Sequence, residues 1–336
     1  MTHELKYIVQ QFENRHKEGR KAVLATVVDL DGSSYRRPGV RMLLFDDGKM
    51  VGAVSGGCVE KEVFRQANSV FETGISKIMI YDGRYRLGCE GILYILLEEF
   101  KPTEAFCKAF WKTIAQRKSF EITSTYLKEP ATGNGFRTIF QFDGNSFAVN
   151  SNSSILEETQ LEFSQVMQPC FQLIIIGAEH DAVQLCKYAA LTGWEVTIVV
   201  NPREEKSELD FPGSQKMVHV EPEMYLPEFD AQTAVVLMTH SYVKDLQFLL
   251  KLKDTNAAYF GLLGPYRRRE KLFDELMERC PDVREDFLEL VHGPAGVDIG
   301  AETPEEIANS IISEILAVVR KREPSLLKHR MGSIHS

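Results

Sequence analysis

The sequence predicts an α/β protein: an N-terminal α/β domain followed by a C-terminal domain on a doubly wound parallel sheet. Three observations carry this. Residues 170–201, "CFQLIIIGAEHDAVQLCKYAALTGWEVTIVVN", read as strand, glycine turn, helix and strand, one βαβ unit. "TAVVLMTH" and "AAYFGLLG" are two more buried-strand patterns, each followed by a helical pattern, and such alternation builds an open parallel sheet. The length of 336 residues suits two cores better than one, with domains at 1–168 and 169–336.

The elements follow in chain order. Residues 4–18 read as a helix and "KAVLATVVDL" as a strand. "VRMLLF" and "KMVGAV" flank Asp46-Asp47-Gly48, a hairpin signal. After Cys58, the stripe Val59, Val63, Ala67 and Val70 marks a helix. "SKIMIY" and "ILYILLEEF" are strands and "TEAFCKAFWKTIAQ" a helix. "SFEITSTYL" and "FRTIFQF" continue the sheet across the turn-rich "KEPATGNG". The polar stretch "DGNSFAVNSNSSILEETQ" reads as a connection or a weakly paired edge before the boundary. In the final helix Thr303 can N-cap, Pro304 fits the first helical position and Glu306 closes a capping box.

Composition narrows the function. A net charge of −9 argues against general affinity for nucleic acid or anionic membranes. No apolar run approaches the roughly 20 residues that span a bilayer, and "MTHELKYIVQQFENRHKEGR" lacks the apolar centre of a signal peptide, so a cytoplasmic location is expected. The six cysteines are scattered without a C-x-x-C, which gives neither a zinc ribbon nor a thioredoxin-like pair; Cys107 and Cys186 sit in apolar helical patterns and read as core.

Two regions carry candidate chemistry. Ser55-Gly56-Gly57-Cys58 stands directly before a helix, where glycines leave amides uncovered for an anion and the helix dipole eases thiol ionisation. The plain alternative is a tight turn with a small half-buried cysteine. In the C-terminal half, Gly177-Ala178-Glu179-His180-Asp181-Ala182 is a Rossmann-like turn. Glu179 replaces the glycine that lets backbone approach a pyrophosphate, and Asn201 ends the second strand where an acidic residue usually binds ribose. The scaffold is that of a dinucleotide fold; its fingerprint speaks against NAD(P). His240 and Asp245 fall near a strand end. Arg267, Arg268 and Arg269 start a helix and suit either an anion or a solvated face. His292 and Asp298 lie on the glycine-rich "VHGPAGVDIGAETPEE", which shapes a site or an interface.

Four segments together resemble one family. They are "GSSYRRPGVRMLLFDDGKMVGAVSGGCVEKEV", "LGCEGILYILLE", "TAVVLMTH…AAYFGLLGPYRRREKL" and "VHGPAGVDIGAETPEEIANSIISEI", and the resemblance that rests on them covers almost the whole chain. They are similar to the xanthine dehydrogenase accessory (XdhC/CoxI) proteins. Tyr35, Glu90, Glu179, Asp181 and Ser241-Tyr242 depart from the family pattern, and the C-terminal departures place any nucleotide binding there in doubt.

The resemblance implies a non-catalytic carrier of the molybdenum cofactor (molybdopterin). Such a protein binds the cofactor transiently, protects it while its sulfido ligand is installed, and passes it to xanthine dehydrogenase or another molybdenum hydroxylase. On this reading Ser55, Gly56, Gly57, Arg36, Arg37 and Arg41 receive the pterin phosphate, and Cys58 is the soft ligand for metal or sulfur. Cys89, Gly177, His240, Arg267, Arg268, His292 and Asp298 complete the expected cofactor-binding set. The implied partners are the client enzyme, a cysteine desulfurase and a second copy of the chain. The rival reading is an NAD(P)-dependent oxidoreductase using the C-terminal domain, and a third is a pure docking protein.

Overall fold

The computed structural model describes every residue except 33, 35, 56, 58, 86–90, 134, 151–159 and 330–336, and the side chain of Tyr85. The chain divides into two compact units, Met1–Pro169 and Cys170–Ser336.

Among the described residues the first unit holds two antiparallel sheets and three helices. Helix α1 (Thr2–His16) leads into β1 (Ala22–Asp31), β2 (Arg41–Phe45) and β3 (Met50–Gly52). Asp46-Asp47-Gly48 closes the β2–β3 hairpin, and Gly48 takes φ +89° there. Helix α2 (Glu60–Thr73), β4 (Lys77–Asp82), β5 (Ile92–Glu99) and α3 (Glu104–Ala115) follow. Then come β6 (Phe120–Tyr126), β7 (Ala131–Thr132), β8 (Thr138–Phe142), β9 (Asn145–Ala148) and β10 (Leu161–Met167). The larger sheet has the order β3-β2-β1-β5-β4-β7, the smaller β10-β6-β8-β9. The expectation that 119–142 continues the first sheet is therefore corrected: β6 and β8 belong to the second one. The polar stretch supplies the edge strand β9. The next segment, read as no element, pairs with β6 along all seven of its residues.

Side-chain alternation decides what covers each face of the larger sheet. Val23, Ala25 and Val27 of β1 meet Val63, Ala67 and Val70 of α2. Leu24 points the other way, into a core with α1, α3 and the second sheet that is rich in phenylalanine, Phe106, Phe110 and Phe140 among them. Thr26 of β1, Arg41 of β2 and Glu98 of β5 are buried as well. The register Thr26↔Arg41 and Leu24↔Glu98 puts them on the side that faces the second sheet. Arg41 Nη1 donates to Gly39 O at 2.8 Å and to Gln165 Oε1 at 2.9 Å. Glu98 accepts from Thr138 N at 2.9 Å and from Thr138 Oγ1.

The second unit is a parallel sheet: β11 (Gln172–Ile176), β12 (Glu195–Val200), β13 (Ser214–His219), β14 (Thr233–Leu237), β15 (Tyr259–Leu262) and β16 (Val291–His292). Its spatial order, β13-β12-β11-β14-β15-β16, is the 3-2-1-4-5-6 order of doubly wound nucleotide-binding sheets. Helices α4 (His180–Leu191) and α8 (Pro304–Val319) pack on Leu173 and Ile175. Helices α5 (Tyr242–Leu252) and α6 (Tyr266–Arg279) pack on Ile174 and Ile176, with the short α7 (Glu285–Leu290) before β16. The capping box of α8 forms as the sequence predicts, with Thr303 and Glu306 exchanging side-chain and backbone bonds. Among the described residues no helix is long and apolar enough to cross a membrane.

Candidate functional site

In the larger antiparallel sheet β1, β3 and β4 run the same way, so the segments that follow them leave from one end of it. Those segments are 32–40, 53–59 and 83–91, which carry Arg36 and Arg37, the Ser55 turn and Cys89. Gly56, Cys58 and Cys89 themselves lie outside the described residues.

Ser55 and Glu60 build the start of α2. Ser55 N donates to Glu60 Oε1 at 2.8 Å, and Ser55 Oγ donates to Glu60 Oε2 at 2.9 Å. The same hydroxyl oxygen accepts from Gly57 N at 3.2 Å and Val59 N at 3.4 Å. Both side chains are buried. Two amides expected to face an anion are therefore already bonded, and a carboxylate stands beside them. Glu60 escaped the residue-level reading; an acid in the first helical turn, five residues after a serine, was the signal.

The three arginines differ. Arg37 is exposed and makes no ion pair or hydrogen bond with the described residues. Arg36 pairs with Glu4 at 3.3 Å. Arg41 is in the interior, where burial pushes its pKa down to about 10 against the opposing charge of Glu98, and its Nε and Nη2 are buried without a partner. Burial likewise pushes the Glu98 carboxyl up to about 7, against its bonds from Thr138 and the charge of Arg41. Cys107 and Cys186 are both pushed up to about 11, chiefly by burial, which keeps them as thiols. Among the described residues no group of three or more His, Cys, Asp or Glu can hold a metal ion.

In the second unit a cavity of about 270 Å³ opens at the carboxyl ends of β11, β12 and β14. Gly177 and His240 line it, as do Glu179, Glu204 and Lys244. Gly177 is required by packing: at φ +146° a Cβ would lie 2.6 Å from Met238 O. Glu179 is the N-cap residue of α4 but makes no side-chain capping bond. Its carboxylate is 3.9 Å from His240 Nδ1, and both side chains are about half exposed or more, at 49% and 64%. Asn201 donates from Nδ2 to Glu221 at 2.8 Å and accepts from Arg203 N at 3.0 Å, so both ends of its amide are engaged. The places that take pyrophosphate and ribose in such folds are thus held by a carboxylate and an occupied amide.

Arg268 is a structural residue. Its Nη2 lies 2.6 Å from Asp245 Oδ2, and Asp245 also accepts from Thr239 Oγ1 at 2.5 Å. Burial raises the Asp245 pKa in spite of these bonds. Gly264 lets the arginine pass, since a Cβ there would meet its Cδ at 2.8 Å. Arg267 is exposed and unpaired among the described residues, and Arg269 lies over the Phe273 ring.

His292 stacks on Tyr259 at 4.7 Å and its Nδ1 is 3.1 Å from Glu314. Tyr259 Oη and Gly296 N donate to the same carboxylate at 2.5 and 2.8 Å. Burial favours the neutral acid, but these bonds outweigh it and hold the Glu314 pKa below the usual value. Asp298 is exposed on a separate open cavity of about 540 Å³ between the β15–α6 turn and the loop 294–301. Gly177 and His240 come together; Arg268, His292 and Asp298 do not join them.

Comparison with known proteins places this architecture. The XdhC Rossmann domain matches residues 173–315, and the XdhC and CoxI family model matches residues 16–82. A Bacillus subtilis protein described as a probable xanthine dehydrogenase subunit is 31% identical over 327 residues, covering 91% of this chain and 95% of its own. The chain belongs to the XdhC and CoxI family. Another relative with the same span is the Escherichia coli molybdenum cofactor insertion chaperone PaoD, 25% identical over 92% of this chain and 87% of its own. A crystal structure described as a xanthine dehydrogenase from Bacillus halodurans shares the fold, with a TM-score of 0.76 at 24% identity over 94% of this chain and 96% of that one. The fold is thus shared with that structure, while Glu179 and Asn201 are features read from this chain.

Proposed function

We propose that this chain is a maturation and insertion factor for the molybdenum cofactor, serving a xanthine dehydrogenase or a related molybdenum hydroxylase. Family membership and the likeness to a cofactor insertion chaperone support the reading. The observation that carries it is the common end of the first unit's larger sheet, from which the Arg36-Arg37 segment, the Ser55 turn and the segment after β4 all leave.

The residues fit the group in part. Arg37, with Arg36 beside it, offers charge-assisted bonds to the pterin phosphate. The amides of Gly57 and Val59 do not serve it, because Ser55 Oγ already accepts from both. Ser55 and Glu60 instead fix where the chain enters α2. Cys58 and Cys89 supply soft sulfur ligands, Cys58 for the metal. The client enzyme, a cysteine desulfurase and a second copy of the chain are the partners this role calls for.

The test is to purify the protein from a host that makes the cofactor and oxidise the sample. A fluorescent pterin is expected from the wild type, with much less from Cys58→Ala and from Arg37→Ala. Absence of pterin from the wild type overturns the proposal. Equal pterin in all three samples removes the assigned site.

A further inference from the structure

We propose that the crevice at the carboxyl ends of β11, β12 and β14 binds a purine nucleoside without phosphate, and does so independently of the cofactor site in the first unit. Its position between β11 and β14 is the point where strand order reverses, the place where open α/β sheets receive ligands. Half-buried Val220 gives it an apolar wall against which a flat ring can lie, while Ile176, Val199, Val200 and Phe248 are buried behind its lining. Its volume, about 270 Å³, is just below the ~300–1,000 Å³ of small-molecule pockets, which fits a nucleoside better than a dinucleotide.

Charge decides against phosphate. A helix N-terminus ordinarily welcomes an anion through free amides and its dipole. At the start of α4 that position carries the Glu179 side chain, with Asp181 in the first turn. A pyrophosphate entering there meets a carboxylate that is not folded back on the helix and lines the cavity.

The opposite end of the crevice suits a sugar. Asn201 is unavailable, but Glu204, three residues on, lines the same cavity and is exposed; its own amide bonds back to Asn201 O at 3.0 Å. A carboxylate there accepts from the 2′- and 3′-hydroxyls of ribose. His240, from the β14–α5 turn, and Lys244, from the first turn of α5, supply donors for the acceptor atoms of the base.

Calorimetric titration of the full chain with adenosine, guanosine and inosine, their 5′-diphosphates and NAD tests this. At least one nucleoside is expected to saturate, with its 5′-diphosphate at least tenfold weaker. Glu179→Gly is expected to tighten the diphosphate at least tenfold and leave the nucleoside within twofold. Glu204→Gln is expected to weaken the ribonucleoside about tenfold but not its 2′,3′-dideoxy analogue. Both side chains are exposed, and thermal unfolding checks that each variant keeps its fold. A diphosphate or NAD that binds the wild type as tightly as the nucleoside overturns the proposal, as does the absence of nucleoside binding up to the solubility limit. Neither result bears on pterin release from the first unit.

Discussion

Replacing Glu98 by glutamine isolates the charge buried between the two sheets of the first unit. Glu98 is fully buried, and burial raises its carboxyl from an ordinary 4.5 to about 7. Between those two pH values the unfolded chain has released the proton and the folded chain still holds it. The folded state then binds more protons than the unfolded one, so stability must fall as pH rises through this window. The full loss is about 3 kcal/mol, taken at ~1.4 kcal/mol for each pH unit. Below pH 4.5 and well above 7 the contribution is flat. Glu98→Gln removes the titration and should show no such slope. The assay is urea unfolding from pH 4 to 8. The chain has two tryptophans, Trp111 in the first unit and Trp194 in the second, so a Trp194→Phe background leaves Trp111 to report on the first unit alone. The wild type should lose about 3 kcal/mol relative to Glu98→Gln between pH 4.5 and 7. Parallel curves, within about 0.5 kcal/mol, would mean that Arg41 keeps Glu98 ionised in the fold and would refute the reasoning.

Three further outcomes follow from the same geometry. Arg268→Met strands the buried Asp245 carboxylate and should cost about 3–5 kcal/mol in Trp194-monitored unfolding, whereas pairing it with Asp245→Leu should recover much of the loss. Glu60→Ala leaves the buried Ser55 amide without an acceptor and should cost ~1–3 kcal/mol, read by Trp111 fluorescence; a change below 0.5 kcal/mol, on the order of a surface substitution, counts against the assigned bond. Gly296→Ala places a Cβ 2.3 Å from Ser310 Oγ at φ +121°, so amide exchange in the loop 294–301 should speed up at least tenfold.

Much of this architecture is legible in the residues, and the exceptions have physical causes. The βαβ pattern of 170–201, the Asp46-Asp47-Gly48 hairpin and the Thr303 capping box are local chemistry, and local chemistry reads well. Leu161–Met167 and Ser214–His219 were missed because both lie at sheet edges and stay largely exposed, so their mixed polarity resembles loop. The site was legible as motifs and less so as roles. Arg267 and Arg268 are adjacent in sequence, yet one is exposed and the other anchors a buried carboxylate; only the fold tells them apart. Arg41 and Glu98 violate the rule that charges lie outside, which no periodicity could announce. Glu204 was hidden because the strand-end position belongs to Asn201, whose engagement with Glu221 is a long-range bond.

The buried guanidinium also chooses between alternative strand alignments. If β2 slipped by one residue along β1, its side chains would exchange faces. Arg41 would then project among Val23, Ala25 and Val27 under α2, with no carbonyl or amide oxygen like those of Gly39 and Gln165 to receive it. That misfit penalises the slipped hairpin far more than an all-aliphatic strand would, since leucine tolerates either side. Correct alignment of β2 fixes β3 beside it, and with it the height at which the chain departs toward Ser55.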